Sequence, residues 1–313
     1  MTVTYESDAA TAAIWQMLIE RWDRTIRSKA LSPNTERGYL YTARRWTNWL
    51  VAEGYMLEPA EIKFFHVEEF IGAVINETSA ANGAFHYRNL RVFFKWLFKR
   101  EEITKNPIDG TESPRVPVKV VPILGDDLYE RLLGTCTERD FCSLRDRALM
   151  MLFRDTGARV SEITYLDLDS VMLTARQLKV VGKGNKERIV GYSPDTALAL
   201  ARCIKARAKL LRERGMITSR LWIGRWGRPL AIDSIKRVLR VRGEQAGIAK
   251  VHAHRFRHTY AHDWKLQDGS NEGLMATGGW SSHKMAQHYG QAARATRALA
   301  EQQRLMLGKV VGE

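Results

Sequence analysis

The sequence predicts a mostly α-helical protein with one small antiparallel β-sheet, an α+β fold in two domains. Three observations carry that expectation. Apolar residues recur at helical spacing along most of the 313 residues. One stretch, 178–192, reads instead as two β-rich runs around a Gly and Asn turn. Pro107, Gly110, Pro114, Pro117 and Pro122 interrupt both patterns at one place. A chain this long commonly forms two domains of roughly 100–200 residues each. Closely spaced prolines disfavour helix and sheet interior alike. The division is therefore a helical domain over 1–103, an extended proline-rich linker over 104–123 and a second domain over 124–313.

Each element has a local reason. Residues 10–29 place Ile14, Met17, Leu18 and Trp22 on one helical face. Ser32-Pro33-Asn34-Thr35 supplies a capping side chain and a first-turn proline. The helix it starts aligns Tyr39, Thr42, Ala43, Trp46 and Leu50 and stops at Gly54. Pro59 opens a helix carrying Val67, Phe70, Ile71 and Val74. The aromatics of 84–100 (Phe85, Tyr87, Phe93, Phe94, Trp96 and Phe98) read as core before base stacking, since such stripes usually pack. In the second domain an apolar helix over 143–154 runs into Thr156-Gly157, and 161–168 forms a short helical turn. Leu178-Lys179-Val180-Val181 and Arg188-Ile189-Val190 then flank Gly182-Lys183-Gly184-Asn185 as a hairpin. Further helices are expected at 194–213, 232–246, 254–266, 272–279 and 291–307.

Composition narrows the function. Apolar residues make up 45% of the chain, enough for real cores. No run approaches the roughly 20 apolar residues of a membrane span, and no secretory signal is visible. Cys136, Cys142 and Cys203 are an odd count without C-x-x-C spacing, which fits a reducing cytoplasm. The net charge of +14 is uneven. Residues 1–200 hold 27 basic and 27 acidic side chains, whereas 201–313 hold 22 and 8. A localised basic excess fits a polyanion partner, and no basic amphipathic helix with an aromatic face points to a membrane.

Five short motifs stand in and just ahead of that basic third. They are Arg159-Val160-Ser161-Glu162, Lys183 in its glycine turn, His254-Arg255-Phe256-Arg257, Trp280 and Tyr289. Metal-free phosphodiester cleavage needs such groups. Fixed cations must meet the charge that grows on the non-bridging oxygens, and arginine does so with a planar fork that stays charged. Arg159 and Arg257 are the candidates. Lys183 on a hairpin tip suits protonation of the leaving oxygen, and a tyrosine such as Tyr289 can attack to give a covalent phosphotyrosine. Two alternatives remain open on the residues alone. His254, His258 and His262 share a helical face that could bind a metal, and His252-x-x-Arg255 offers a rival register to His254-x-x-Arg257.

Gly157-Ala158-Arg159-Val160-Ser161-Glu162 resembles the first arginine box of the tyrosine recombinases, the phage integrase family. Val181-Gly182-Lys183-Gly184-Asn185-Lys186-Glu187-Arg188 resembles the hairpin lysine motif of that family. His254-x-x-Arg257-His258-Thr259-Tyr260-Ala261 resembles the second box, and its trailing residues favour 254 and 257. Gly278-Gly279-Trp280-Ser281-Ser282 with Tyr289 is similar to the closing motif, with tryptophan where many members have histidine. The N-terminal match rests on Ser32-Pro33-Asn34-Thr35, Tyr39 and Trp49-Leu50.

The resemblance implies a C-shaped clamp on double-stranded DNA core sites and cleavage through a 3′-phosphotyrosine, with neither metal nor cofactor. Tyr289 would attack, Arg159 and Arg257 hold the phosphate, Trp280 add a donor, Lys183 protonate the 5′-hydroxyl and His254 assist. Glu162 and His258 would support them. Expected DNA contacts are Asn34, Thr35, Arg44, Arg45, Arg88 and Arg91 in the first domain. Arg202, Lys205, Arg207, Lys209, Arg212 and Arg214 would track phosphates from helix 201–214. The resemblance also implies a homo-tetramer whose tail, 291–307, docks on a neighbouring protomer, and a directionality factor. Helices begin within about ten residues of Met1, so no arm-binding domain is expected. The expected activity is that of a cytoplasmic phage or mobile-element integrase. The alternatives are a Xer-type dimer resolvase, a strand-relaxing or telomere-resolving relative, and a silent DNA-binding regulator.

Overall fold

The computed structural model describes residues 2–117, 121–137, 140–182, 184–280, 282–283 and 291–305, with side chains from residue 10 and, in the last segment, from residue 296. The chain forms two compact units, Met1–Lys119 and Val120–Glu313.

The first unit holds α1 (Thr2–Arg27), α2 (Pro33–Ala52), α3 (Phe64–Glu77) and α4 (Ala80–Lys99). Ser32 caps α2 by accepting from Thr35 N–H at 3.2 Å, with Pro33 in the first turn. Ser79 caps α4 in the same way through Asn82 N–H. α4 packs on α2 and α3, and α1 on α2. Trp46 is fully buried, with Phe70 and Phe94 edge-on to its ring. Asn89 Nδ2 donates to Gly38 O and to Thr42 Oγ1, and Thr42 also bonds His86 Nδ1 at 3.0 Å. This buried polar network fixes the register of α2 on α4. Burial, with Arg45 nearby, pushes the His86 imidazole down to about 4, so it is neutral at working pH. Tyr87, Phe93, Phe94 and Trp96 are core, but Phe98 is 47% exposed in the last turn of α4. Ile103 and Ile108 join this core, and Tyr87 Oη donates to Thr111 O.

The second unit holds α5 (Asp126–Gly134), α6 (Phe141–Thr156), α7 (Val160–Thr164), β1 (Val171–Met172), β2 (Gln177–Val181), β3 (Glu187–Gly191), α8 (Pro194–Arg214), α9 (Ile232–Gln245), α10 (Ala253–Leu266), α11 (Asn271–Gly278) and α12 (Gln291–Leu305). The sheet is antiparallel in the order β1-β2-β3, with Val180 opposite Arg188. α6 is the centre of the unit. Its run Ala148–Phe153 is buried, and the helix packs on α8, α9 and α10. Neither α5 nor the two-residue β1 is expected from the sequence pattern.

Arg207 does not reach outward from α8 as expected. It is 3% exposed, and its guanidinium donates to Thr218 O and Arg220 O, tying the helix to the segment after it. α12 lies against α10 of its own chain, where Arg297 pairs with Asp268. Among the described residues no helix is long and apolar enough to cross a membrane.

Candidate active site

The site is built where α6 stops. Gly157 takes φ +55° at the C-cap. A Cβ there would stand 2.4 Å from the Tyr260 ring, so both conformation and space require glycine. The chain turns back over α10 and presents Arg159 as the N-cap residue of α7.

Arg159 is held on both sides. Its backbone N–H donates to Glu162 Oε2 at 2.8 Å, its Nη1 donates to Oε1 at 2.9 Å, and its Nη2 donates to Gly279 O at 2.8 Å. Glu162 is 4% exposed and accepts a second guanidinium. Arg188, at the start of β3, gives Nη1 to Oε1 at 3.0 Å and Nη2 to Oε2 at 2.8 Å. Burial alone would raise the Glu162 pKa, but the bonds from Arg188 and Arg159 outweigh it and hold the carboxyl below its usual range. A charged buried carboxylate is tolerated here because both oxygens are saturated.

Three guanidiniums gather on three successive carbonyls at the end of α11. Arg188 Nε donates to Thr277 O at 2.7 Å, Arg257 Nη2 to Gly278 O at 2.7 Å, and Arg159 Nη2 to Gly279 O. The last carbonyls of a helix lack intrahelical partners and carry partial negative charge, so cations belong there. Arg257 also donates to Gly157 O at 2.8 Å, and its Cζ lies 3.9 Å from the Trp280 ring centroid. The clamp therefore fixes where Trp280 leaves α11.

Arg159, His254, Arg257 and Trp280 line one cavity of about 340 Å³, walled also by Ala158, Val160, Ser161 and Ala253. His254 is exposed at the mouth, and its Nε2 lies 3.1 Å from His258 Nε2. In that contact one ring nitrogen donates and the other accepts, according to the tautomers. His252 and Arg255 serve elsewhere. His252 Nδ1 accepts from Arg255 N–H at the N-cap of α10, and the Arg255 guanidinium holds Pro122 O, Ile123 O and Ala249 O. Among the described residues no group of three or more His, Cys, Asp or Glu stands ready to hold a metal.

Lys183 and Tyr289 lie outside the described residues. Between β2 and β3, Gly182 N–H donates to Lys186 O at 2.8 Å, and Gly184 and Asn185 have positive φ. Val181, Gly182, Glu162 and Arg159 share a second cavity of about 380 Å³ under that hairpin. Arg159 therefore borders both spaces.

The expected DNA contacts spread over both units. Asn34 and Thr35 sit in the first turn of α2, where Asn34 Oδ1 accepts from Arg37. Arg44, Arg88 and Arg91 are exposed, and Arg45 pairs with Glu77. Arg202, Lys205 and Lys209 line a groove on α8. Arg188 does not stand out in the sequence as a site residue, because its partners lie 26 and 89 positions away.

Residues 123–296 match the phage integrase family, and residues 18–103 match the N-terminal SAM-like domain of phage integrases. The chain is 28% identical to the tyrosine recombinase XerD of Staphylococcus aureus, over 79% of this chain and 84% of that one. It is also 28% identical to the tyrosine recombinase XerC of Vibrio parahaemolyticus, over 79% of each. Among solved structures, XerH bound to a palindromic difH substrate gives a TM-score of 0.70 at 17% identity, covering 91% of this chain and 83% of that one. A lambda integrase dimer bound to a COC′ core site gives 0.69 at 17%, covering 88% and 94%. These two share the fold.

Proposed function

The chain belongs to the phage integrase family and is a tyrosine-type site-specific DNA recombinase, and we propose that it works through Tyr289, Arg159, Lys183, His254, Arg257 and Trp280. The Tyr289 hydroxyl attacks the scissile phosphorus and bonds to it; the phosphate stays on the 3′ end of the cut strand, while the 5′ oxygen leaves with a proton from Lys183. Arg159 and Arg257 meet the charge on the non-bridging oxygens. Trp280 adds an N–H donor and, as an indole, cannot shuttle a proton. His254 takes or places a proton, with His258 facing its ring. Glu162 holds Arg159. A second strand's 5′-hydroxyl reverses the attack, so the bond energy stays in the protein–DNA link.

The observation that supports this best is the cavity shared by Arg159, His254, Arg257 and Trp280. Two fixed guanidiniums at one concave site suit a single phosphodiester. The test is a nicked suicide duplex in which the short fragment bearing the freed 5′-hydroxyl diffuses away after cleavage. A recombinase accumulates a denaturation-resistant protein–DNA adduct. A silent regulator of the same fold binds the duplex and yields none.

The finer reading is integration of a phage or mobile element, from the cytoplasm, by a tetramer on two duplexes. Each protomer closes on DNA as a clamp, and its α12 moves from its own α10 to a neighbour; a directionality factor sets the outcome. Chromosome-dimer resolution is the second reading, favoured by the similarity to XerD and XerC. A tRNA gene end or prophage beside the coding sequence supports the first, and its absence beside a chromosomal resolution site supports the second.

A further inference from the structure

Eight of the nine tryptophans are buried or half-buried, whereas Trp226 is 57% exposed. It sits on a tight turn between α8 and α9. Ile223 pairs with Pro229, Gly224 N–H donates to Arg228 O at 2.8 Å, and Gly227 N–H donates to Gly224 O at 2.9 Å. Gly227 has φ +82°, and a Cβ there would stand 2.7 Å from Met216 Sδ. The tip is thus seated tightly on the residues just after α8, and Trp226 is held outward rather than loosely displayed.

Two guanidiniums stack on this indole. The Cζ atoms of Arg214 and Arg225 each lie 5.0 Å from the ring. Arg228 is exposed on the same turn. From Arg214 to Ile232 the sequence holds four arginines and no acidic residue. Among the described residues none of Arg214, Arg225 and Arg228 lies within ion-pair distance of a carboxylate. Stacking fixes a guanidinium by its flat face and leaves its edge N–H groups to reach an anion. Side-chain order is therefore paid for in the free protein.

We propose that the Trp226 turn is a DNA-backbone clamp, separate from the catalytic cavity, in which Arg214, Arg225 and Arg228 grip phosphates of the bound duplex while Trp226 holds the first two in place. The inference rests on the reading of the substrate as duplex DNA. Phosphate suits the fork of arginine, and phosphate contacts carry affinity without reading sequence. The turn lies in the third of the chain that holds the whole net charge, which favours DNA over an acidic protein segment.

The test uses the full chain and a 30-bp duplex of arbitrary sequence, since backbone contacts require no specific site. Acrylamide quenches exposed indoles, so the quenchable emission belongs mainly to Trp226 and disappears in Trp226→Phe. Saturating duplex is expected to protect it. In the Arg225→Gln/Arg228→Gln double variant the slope of log K against log salt should fall by about 2, with affinity on the order of tenfold weaker near 0.1 M salt. Circular dichroism confirms that the variant is folded. Binding with Trp226 still quenchable and an unchanged slope overturns the proposal. So does protection that grows with protein concentration without DNA, which marks an interface between copies, or protection by polyglutamate but not by duplex. Failure of the wild-type chain to bind any duplex overturns the substrate reading itself.

Discussion

Arg188 meets Glu162 edge-on, two nitrogens to two oxygens at 3.0 and 2.8 Å, with the pair almost wholly out of solvent. The same carboxylate accepts from the Arg159 backbone and guanidinium. Strand β3, the N-terminus of α7 and the end of α11 are therefore joined beside the cavity that Arg159 lines. Loss of one partner leaves a buried charge half-compensated, whereas lysine can restore the charge but not the fork.

Arg188→Ala should lower stability by about 3 kcal/mol, read as a fall in the denaturant midpoint. Adduct formation at saturating DNA should also fall, because Glu162, which seats Arg159, loses the second guanidinium that holds it in place. Arg188→Lys should lie between Ala and wild type. Equal cleavage rates for all three would remove the positioning role.

The pH dependence of stability is set in part by Glu162. Its folded pKa is lowered from the usual 4.5, so the carboxylate form stabilises the fold. That contribution is full above pH 4.5 and is lost as pH falls through the lower folded value. The stability gap between wild type and Glu162→Gln should be flat near neutrality and shrink below pH 4.5. A gap that widens on acidification contradicts the assignment.

Gly157→Ala should destabilise the second unit by about 1–3 kcal/mol, from a left-handed φ and a clash with the Tyr260 ring. The thermal midpoint is the readout. A neutral effect would mean that α6 does not need this turn to aim Arg159.

Lys183→Ala should slow cleavage of ordinary DNA by about 10²–10⁴-fold. A 5′-bridging phosphorothiolate substrate releases a thiolate that needs no proton, so the same variant should cleave it at close to the wild-type rate. Arg159→Ala should not be rescued. Rescue of Arg159→Ala together with failure for Lys183→Ala would reverse the two roles.

Much of the fold was legible because its signals are local. Ser32 and Pro33 announce α2, and Gly182-Lys183-Gly184-Asn185 announces the hairpin. The nine-residue α5 comes directly after the prolines and shows barely two turns of apolar spacing, and the two residues of β1 exist only through pairing with β2. Phe98 reads as core by type but falls at a helix end, where its face meets solvent. Arg207 reads as surface by type but finds two carbonyls inside. At the site, the run His258-Thr259-Tyr260-Ala261 identifies the register of His254 and Arg257. No such neighbour marks Arg188, because its role depends on Glu162 and the Thr277 carbonyl, which only the fold brings near.

The most direct measurement is to trap the adduct on a nicked suicide duplex, digest both protein and DNA, and identify by mass spectrometry the tyrosine that carries the 3′-nucleotide. The modified peptide should contain Tyr289, and Tyr289→Phe should bind the duplex yet give no adduct. A nucleotide on any other of the ten tyrosines, or an adduct that persists in Tyr289→Phe, would contradict a phosphate site that closes on Tyr289.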